Sequence, residues 1–189
     1  MKKIIKKIFP FLNSSPKQTD LKKSTWKDIE YFEDSWINRV STMAELLPEN
    51  VSVMDLGCGT MGLPTIKKIS KYIPVDYKKR SENMLVCDFN KKEFPNESAE
   101  YAFVSGCLEY VDDPEWFVSK IAATCGHCII SYCTVDEIPD LARRTSYCWV
   151  NHLSKADVIA LFEKQGMKLQ KESFYKPSNS IFLFEKTAQ

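Results

Sequence analysis

The apolar positions of this 189-residue chain change period along its length, and the changes mark out its elements. Between Thr25 and Pro48, Trp26, Ile29, Phe32, Trp36, Ile37, Val40, Ala44 and Leu47 recur every three or four residues, which predicts one amphipathic helix stopped by Pro48. Short apolar runs closed by polar or turn-forming residues come next. They predict strands near 51–55, 72–76, 84–87, 101–105, 127–133, 167–175 and 180–185. Helices are predicted near 62–71, 114–124 and 154–165. Asp113 before Pro114 reads as an N-cap with proline at the first helical position, and Ser154 with Asp157 as a capping-box start to a helix ending at Gly166. The alternation implies an α/β fold. Only KPSNS separates the last two strands, too little for a parallel crossover, so they form an antiparallel hairpin. Between Asp76 and Met84 the seven residues YKKRSEN allow a turn or a single helical turn.

The length suits one α/β core with little room for a second. A net charge of +1 and a pI of about 7.5 provide no basic body for a nucleic-acid backbone, so no nucleic-acid partner is expected. The charge is uneven, because residues 1–24 carry seven lysines against one aspartate. In MKKIIKKIFPFL, Ile4, Ile5, Ile8 and Phe9 oppose Lys2, Lys3, Lys6 and Lys7 at helical spacing. This segment is too short to span a bilayer, but residues 1–12 suit peripheral contact with an anionic membrane surface. We therefore divide the chain into a basic amphipathic tail and linker, 1–24, and a domain, 25–189. Seven cysteines, an odd number, suggest a reducing compartment and a cytoplasmic location, at the inner face of the membrane if the tail binds there. CGHC, residues 125–128, follows a predicted helix and enters a strand, the wrong end for a redox dithiol, and no second ligand pair suggests a metal.

The chemistry concentrates in VMDLGCGTMG, residues 53–62. An apolar strand there meets Asp55 and then Gly57, Gly59 and Gly62, a turn over which a ligand can approach the backbone closely. The glycines fit a dinucleotide as well as S-adenosylmethionine. Asp55 favours the second, since a carboxylate there repels a pyrophosphate and attracts a ligand bearing ammonium and sulfonium groups. Asp76 closes YIPVDY, about twenty residues on, where an acid accepts hydrogen bonds from ribose hydroxyls. Asp88 closes MLVCDF and precedes Phe89, a carboxylate for an adenine amino group beside a ring for the purine face.

These segments resemble the class I S-adenosylmethionine-dependent methyltransferases, over roughly residues 26–186. DLGCGTMG is similar to the family's glycine motif, VDY to its ribose-binding strand end and CDF to its adenine-contacting turn. YAFVSGCLEYVDDPEWF, residues 101–117, is similar to its fourth strand and following loop. Tyr101 and Tyr110 depart from the pattern, which often has Asp and His there. The resemblance implies a Rossmann-like three-layer sandwich with a mostly parallel seven-stranded sheet and an antiparallel C-terminal hairpin. It also implies S-adenosylmethionine as cofactor and S-adenosylhomocysteine as product, with Asp55, Gly57, Cys58, Gly59, Asp76, Tyr77, Asp88, Phe89 and Gly106 around it. The helix before the first strand often covers the mouth in this family, which would put Tyr31, Phe32 and Trp36 on the wall.

A methyl acceptor would lie beyond the strand ends, among Glu109, Tyr110, Tyr132, Arg143, Arg144, Tyr147, Trp149 and His152. Of these, His152, Glu109 and Tyr110 are the candidate catalytic residues, with His152 suited to a general base. Arg143 and Arg144 could hold an acceptor phosphate or carboxylate. The expected reaction is methyl transfer to an oxygen or nitrogen of a small acceptor, a sugar or phosphate-bearing precursor of bacterial surface polysaccharide, or alternatively another small metabolite. A nicotinamide-dependent oxidoreductase and a non-catalytic cofactor-binding module remain as other classes.

Overall fold

A computed structural model of the protein describes residues 34–187. The basic tail, the linker and Trp26, Ile29, Tyr31 and Phe32 lie outside the described residues. Helix α1 (Asp34–Ala44) leads into β1 (Ser52–Leu56), α2 (Leu63–Ile66), β2 (Lys71–Asp76), β3 (Leu85–Val86) and β4 (Ala99–Ser105). Helix α3 (Pro114–Thr124), β5 (Cys125–Tyr132), α4 (Leu141–Ser146), α5 (Lys155–Lys164), β6 (Met167–Tyr175) and β7 (Asn179–Lys186) complete the order.

The apolar runs of β1, β4 and β5 become strands buried on both faces, as parallel strands between two helical layers must be. Neighbouring residues point to opposite sides. Met54, Val104 and Ile130 join Phe117 and Ile121 of α3 and Val158 and Phe162 of α5. Val53, Phe103 and Ile129 join Met43 and Ala44 of α1 on the other face. The strands form one seven-stranded sheet in the order β3-β2-β1-β4-β5-β7-β6. The first five in that order are parallel, and β7 runs antiparallel to both β5 and β6. This is the expected Rossmann-like sandwich with its reversed hairpin.

Local signals act as read. Asp113 accepts from the Trp116 amide to cap α3, and Ser154 and Asp157 form a reciprocal capping box on α5. Two elements differ. The helix predicted over 62–71 is only Leu63–Ile66, because the Asn50 amide donates to Lys68 O and the Ser70 amide to Val51 O, so residues 68–70 continue the β1–β2 pairing. Helix α4 was not predicted; Asp140 caps it, accepting from the Arg143 amide. The crossover after Asp76 contains no helix, so of the two forms that its seven residues allow it takes the bare turn. Among the described residues, no helix is long and apolar enough to cross a membrane.

Phe162 is fully buried and its ring stacks on Phe184 at 4.0 Å between centroids. We expect Phe162→Ala to cost about 3–5 kcal/mol of unfolding free energy, measured by denaturant titration, as a large unfilled cavity would.

Candidate active site

The parallel strands β1, β2, β4 and β5 end at one edge of the sheet, where open α/β folds bind their ligands. The turn after β1 is strapped to the end of β2. The amides of Gly57 and Cys58 both donate to Val75 O, at 2.8 and 3.0 Å, and the Gly59 amide donates to Asp76 Oδ2 at 2.9 Å. Gly57 has φ +80°, and a Cβ there would lie 2.8 Å from Cys107 Sγ, so only glycine lets the turn meet the loop after β4. Gly62 has another duty: a Cβ there would meet Ile37 Cδ1 of α1 at 2.5 Å. The third glycine thus makes room for a helix of the protein while also lining the cavity.

A cavity of about 1030 Å³ lies over this edge, and its walls include Asp55, Gly57, Cys58, Gly59, Asp76, Tyr77, Asp88, Phe89 and Gly106. All nine residues expected around the cofactor thus face one space. Asp55 is 4% exposed and accepts from the Tyr72 hydroxyl at 2.6 Å. Desolvation raises its pKa to about 7 against that hydrogen bond, with the Asp76 charge adding to the rise. Asp76 also ion-pairs with Arg80 at 2.7 Å, and the Arg80 guanidinium lies 5.5 Å from the Tyr77 ring centroid. Asp88 caps the turn Phe89–Lys91 by accepting from the Asn90 amide while reaching the cavity wall. Phe89 departs from the simple reading: its ring packs at 4.8 Å from Phe117 and 5.9 Å from Phe94, within the core.

The acceptor candidates divide. Glu109, Tyr110, Arg143, Tyr147 and Trp149 line the cavity, whereas Tyr132, Arg144 and His152 do not. Glu109 is 2% exposed; Oε1 accepts from the Cys133 amide at 3.0 Å, and Oε2 has no partner among the described residues. Desolvation raises its pKa, opposed by the Cys133 hydrogen bond and by Arg39 and Arg144. Tyr110 is pushed up to about 12, chiefly by burial, and its hydroxyl accepts from Trp149 Nε1 at 3.3 Å. It is therefore a neutral hydrogen-bonding group rather than a base near pH 7.

His152 must be corrected. It is exposed, its Nδ1 accepts from Arg144 Nε at 3.1 Å, so its ring tethers the loop after α4, and it does not line the cavity. Arg144, read as a loop residue able to grip an anion, is fully buried on α4. It donates to Cys133 O, Tyr132 Oη and Asn151 O and lies 4.8 Å over the Trp149 ring, joining α4, β5 and the following loop. Tyr132 is fully buried and donates to Asn151 Oδ1. Tyr101 stacks on His127 at 4.4 Å and does not line the cavity. Trp36 lines the mouth, as expected of the first helix. So does Arg39, which the sequence reading missed, because one arginine beside an apolar helical stripe looks like an ordinary solvated residue.

Cys125 and Cys128 of the CGHC segment are buried on β5, with thiol pKa values raised by desolvation. Among the described residues, no group of three or more His, Cys, Asp or Glu side chains is placed to hold a metal ion.

No protein-family model matches the sequence, and no curated protein matches it. Solved structures do match. A 1,6-didemethyltoxoflavin-N1-methyltransferase from Burkholderia thailandensis, with bound 1,6-didemethyltoxoflavin and S-adenosylhomocysteine, superposes with a TM-score of 0.63 at 16% identity over 82% of this chain and 80% of that one. A possible histamine N-methyltransferase from Thermotoga maritima gives 0.60 at 16% identity, covering 80% and 89%. The magnesium protoporphyrin IX methyltransferase of Synechocystis, with bound S-adenosylhomocysteine, gives 0.60 at 12% identity, covering 80% and 82%. The fold is that of the S-adenosylmethionine-dependent methyltransferases. At these identities the likeness is one of architecture.

Asp55 provides a test of the site's electrostatics. Its folded-state pKa lies above the ordinary 3.8, so its contribution to stability is complete below about pH 4 and lost as the pH rises to about 7. Thermal unfolding at pH 4 and pH 8 should show Asp55→Asn gaining on the wild type as the pH rises, by up to about 4 kcal/mol, with no further gain above pH 8.

Proposed function

We propose that the protein is an S-adenosylmethionine-dependent methyltransferase acting on an oxygen or nitrogen of a small acceptor. The observation that carries this reading is Asp55, a buried carboxylate without an ion pair among the described residues, at the glycine turn. An anionic pyrophosphate would raise its electrostatic cost, whereas the amino group of a methionine moiety would offset it. S-adenosylmethionine, when bound, supplies a methyl group activated on a sulfonium. Gly57, Cys58 and Gly59 would receive its amino-acid end, Asp76 the ribose hydroxyls, and Asp88 with Tyr77 the adenine.

Methyl transfer is an in-line displacement, so the protein's main tasks are to align acceptor and donor and to exclude water. The walls around Trp149, Tyr147 and Tyr110 suit this. Where the acceptor must lose a proton, Glu109 would take it on Oε2, whose raised pKa makes it a stronger base than an exposed carboxylate. Tyr110 would orient the acceptor as a neutral partner. On substrate, Arg143 at the cavity supports a phosphate-bearing acceptor, of which a surface-polysaccharide precursor is one kind. The aromatic wall supports the other small-metabolite reading, in keeping with neighbours named for 1,6-didemethyltoxoflavin and magnesium protoporphyrin IX.

One observation favours a nicotinamide cofactor instead: Arg80 beside Asp76 is the pairing that can meet a phosphate on a ribose. Calorimetry separates the two. We expect micromolar S-adenosylhomocysteine binding by the wild type, weakened at least about tenfold in Asp76→Ala, and no NADPH binding. NADPH binding without S-adenosylhomocysteine binding would reverse the assignment. For an acceptor found by screening for S-adenosylhomocysteine release, Glu109→Gln should keep cofactor affinity and lose about a hundredfold in kcat; an unchanged kcat would remove Glu109 from proton transfer.

A further inference from the structure

Asp55 has a partner that the glycine turn does not announce. Parallel pairing sets Asp55 opposite Pro74 of β2 and Phe103 of β4, neither of which carries a side-chain donor. Tyr72 stands opposite Val53, two residues back along the same face of the sheet, and its hydroxyl reaches forward to donate to Asp55 Oδ2 at 2.6 Å. Its ring is half-buried and packs against the cluster of Val53, Phe103 and Ile129, which fixes the hydroxyl in place. Among the described residues this is the only hydrogen bond to the Asp55 carboxyl group, so Oδ1 is left to the cavity that Asp55 lines.

Two effects oppose each other on Asp55. Burial disfavours its charge and the Tyr72 hydrogen bond favours it, with the Asp76 charge adding to the first. Cys58 in the turn and Cys107 after β4 are thiols kept neutral, chiefly by burial. Arg80 is paired with Asp76, Arg39 of α1 is engaged with Ser105 and Asn179, and α2 carries no charged residue. Tyr72 itself keeps its proton, because burial and then the charge of Asp55 push its pKa up. A neutral donor to a carboxylate shifts its ionisation by about one to two pH units. Without that donor, Asp55 would be largely protonated at neutral pH and would offer a ligand no charge.

We propose that Tyr72 is a positioning residue for the cofactor: its hydrogen bond keeps Asp55 available as the anion that receives the amino group of the methionine moiety at neutral pH. The proposal rests on the methyltransferase reading. Tyr72 does not line the cavity and acts through Asp55 alone. Its effect is therefore confined to ligands that carry the amino group and to the pH range in which Asp55 titrates.

The test uses the full chain as wild type and Tyr72→Phe, which keeps the ring and removes only the hydroxyl, with folding checked by circular dichroism. Calorimetry at pH 6 and pH 8.5 would measure S-adenosylhomocysteine and 5′-methylthioadenosine, which lacks the amino-acid end. We expect Tyr72→Phe to bind S-adenosylhomocysteine about tenfold more weakly at pH 6 and within about twofold of the wild type at pH 8.5, where Asp55 is mostly ionised in both. Binding of 5′-methylthioadenosine should be unchanged at either pH. The ligand's own amino group titrates alike with both proteins and cancels from the comparison. An equal loss at both pH values, a loss shared by 5′-methylthioadenosine, or no loss would overturn the proposal. If the wild type binds neither nucleoside, the methyltransferase reading fails by itself, and thermal unfolding of the unliganded proteins decides on the Tyr72–Asp55 pair. Ionising Asp55 costs the fold more without the hydroxyl, so Tyr72→Phe should fall behind the wild type between pH 6 and pH 8.5, and should not do so in an Asp55→Asn background. A deficit independent of pH, or one that persists with Asp55→Asn, overturns the pairing.

Discussion

Four carboxylates kept from water along one edge of a parallel sheet set the terms for the rest of the site. Asp55, Asp76, Asp88 and Glu109 are each less than a tenth exposed. Burying a carboxylate is costly unless it is paired or hydrogen-bonded, and the local structure answers that cost piece by piece. Tyr72 donates to Asp55, the Gly59 amide and Arg80 to Asp76, the Asn90 amide to Asp88 and the Cys133 amide to Glu109. Those hydrogen bonds also fix the turn after β1, the turn after β3 and the spacing between β4 and β5. Architecture and electrostatics are therefore one arrangement. A cavity lined by so many buried carboxyl groups is suited to a ligand with positive charge to place there.

The arginines in and around the cavity complete the pattern. Arg144 is withdrawn into the protein as a structural tie, Arg80 covers Asp76, Arg143 sits at the exposed rim, and Arg39 lies over the end of β4. Charge alone would make these four equivalent. Their hydrogen-bond partners do not, because Arg144 is held inside the protein by two carbonyls, a hydroxyl and an imidazole, while Arg39 is held at the cavity by Ser105 and Asn179. The half of the cavity near α1 is thus built by a helix that the glycine turn itself admits, through the contact of Gly62 with Ile37.

Features with a local physical cause were legible in the sequence. Strands buried on both faces appear as apolar runs, a hairpin betrays itself by a five-residue gap, and Asp113 and Ser154 announce the helices they cap. The acids at strand ends could be read because each closes an apolar run at a fixed place. What was illegible depends on distant partners. Helix α2 stops early because residues 68–70 find partners at 50–51, which its own periodicity cannot reveal. His152 looked like a base in a loop until Arg144 claimed its Nδ1, and Phe89, at the cavity wall, also packs its ring on Phe94 and Phe117, which its place beside Asp88 did not announce. Arg39 acquires its setting from Ser105 and Asn179, 66 and 140 residues away.

The central claim is that the buried acids and the glycine turn hold one S-adenosyl nucleoside. The most direct measurement is a crystal structure of the protein grown with S-adenosylhomocysteine. The account predicts electron density with the amino-acid end over Gly57 and Cys58 beside Asp55, both ribose hydroxyls on Asp76, and adenine between Tyr77 and Asp88. Density for the nucleoside elsewhere, or a cavity left empty by a ligand shown to bind in solution, would contradict it.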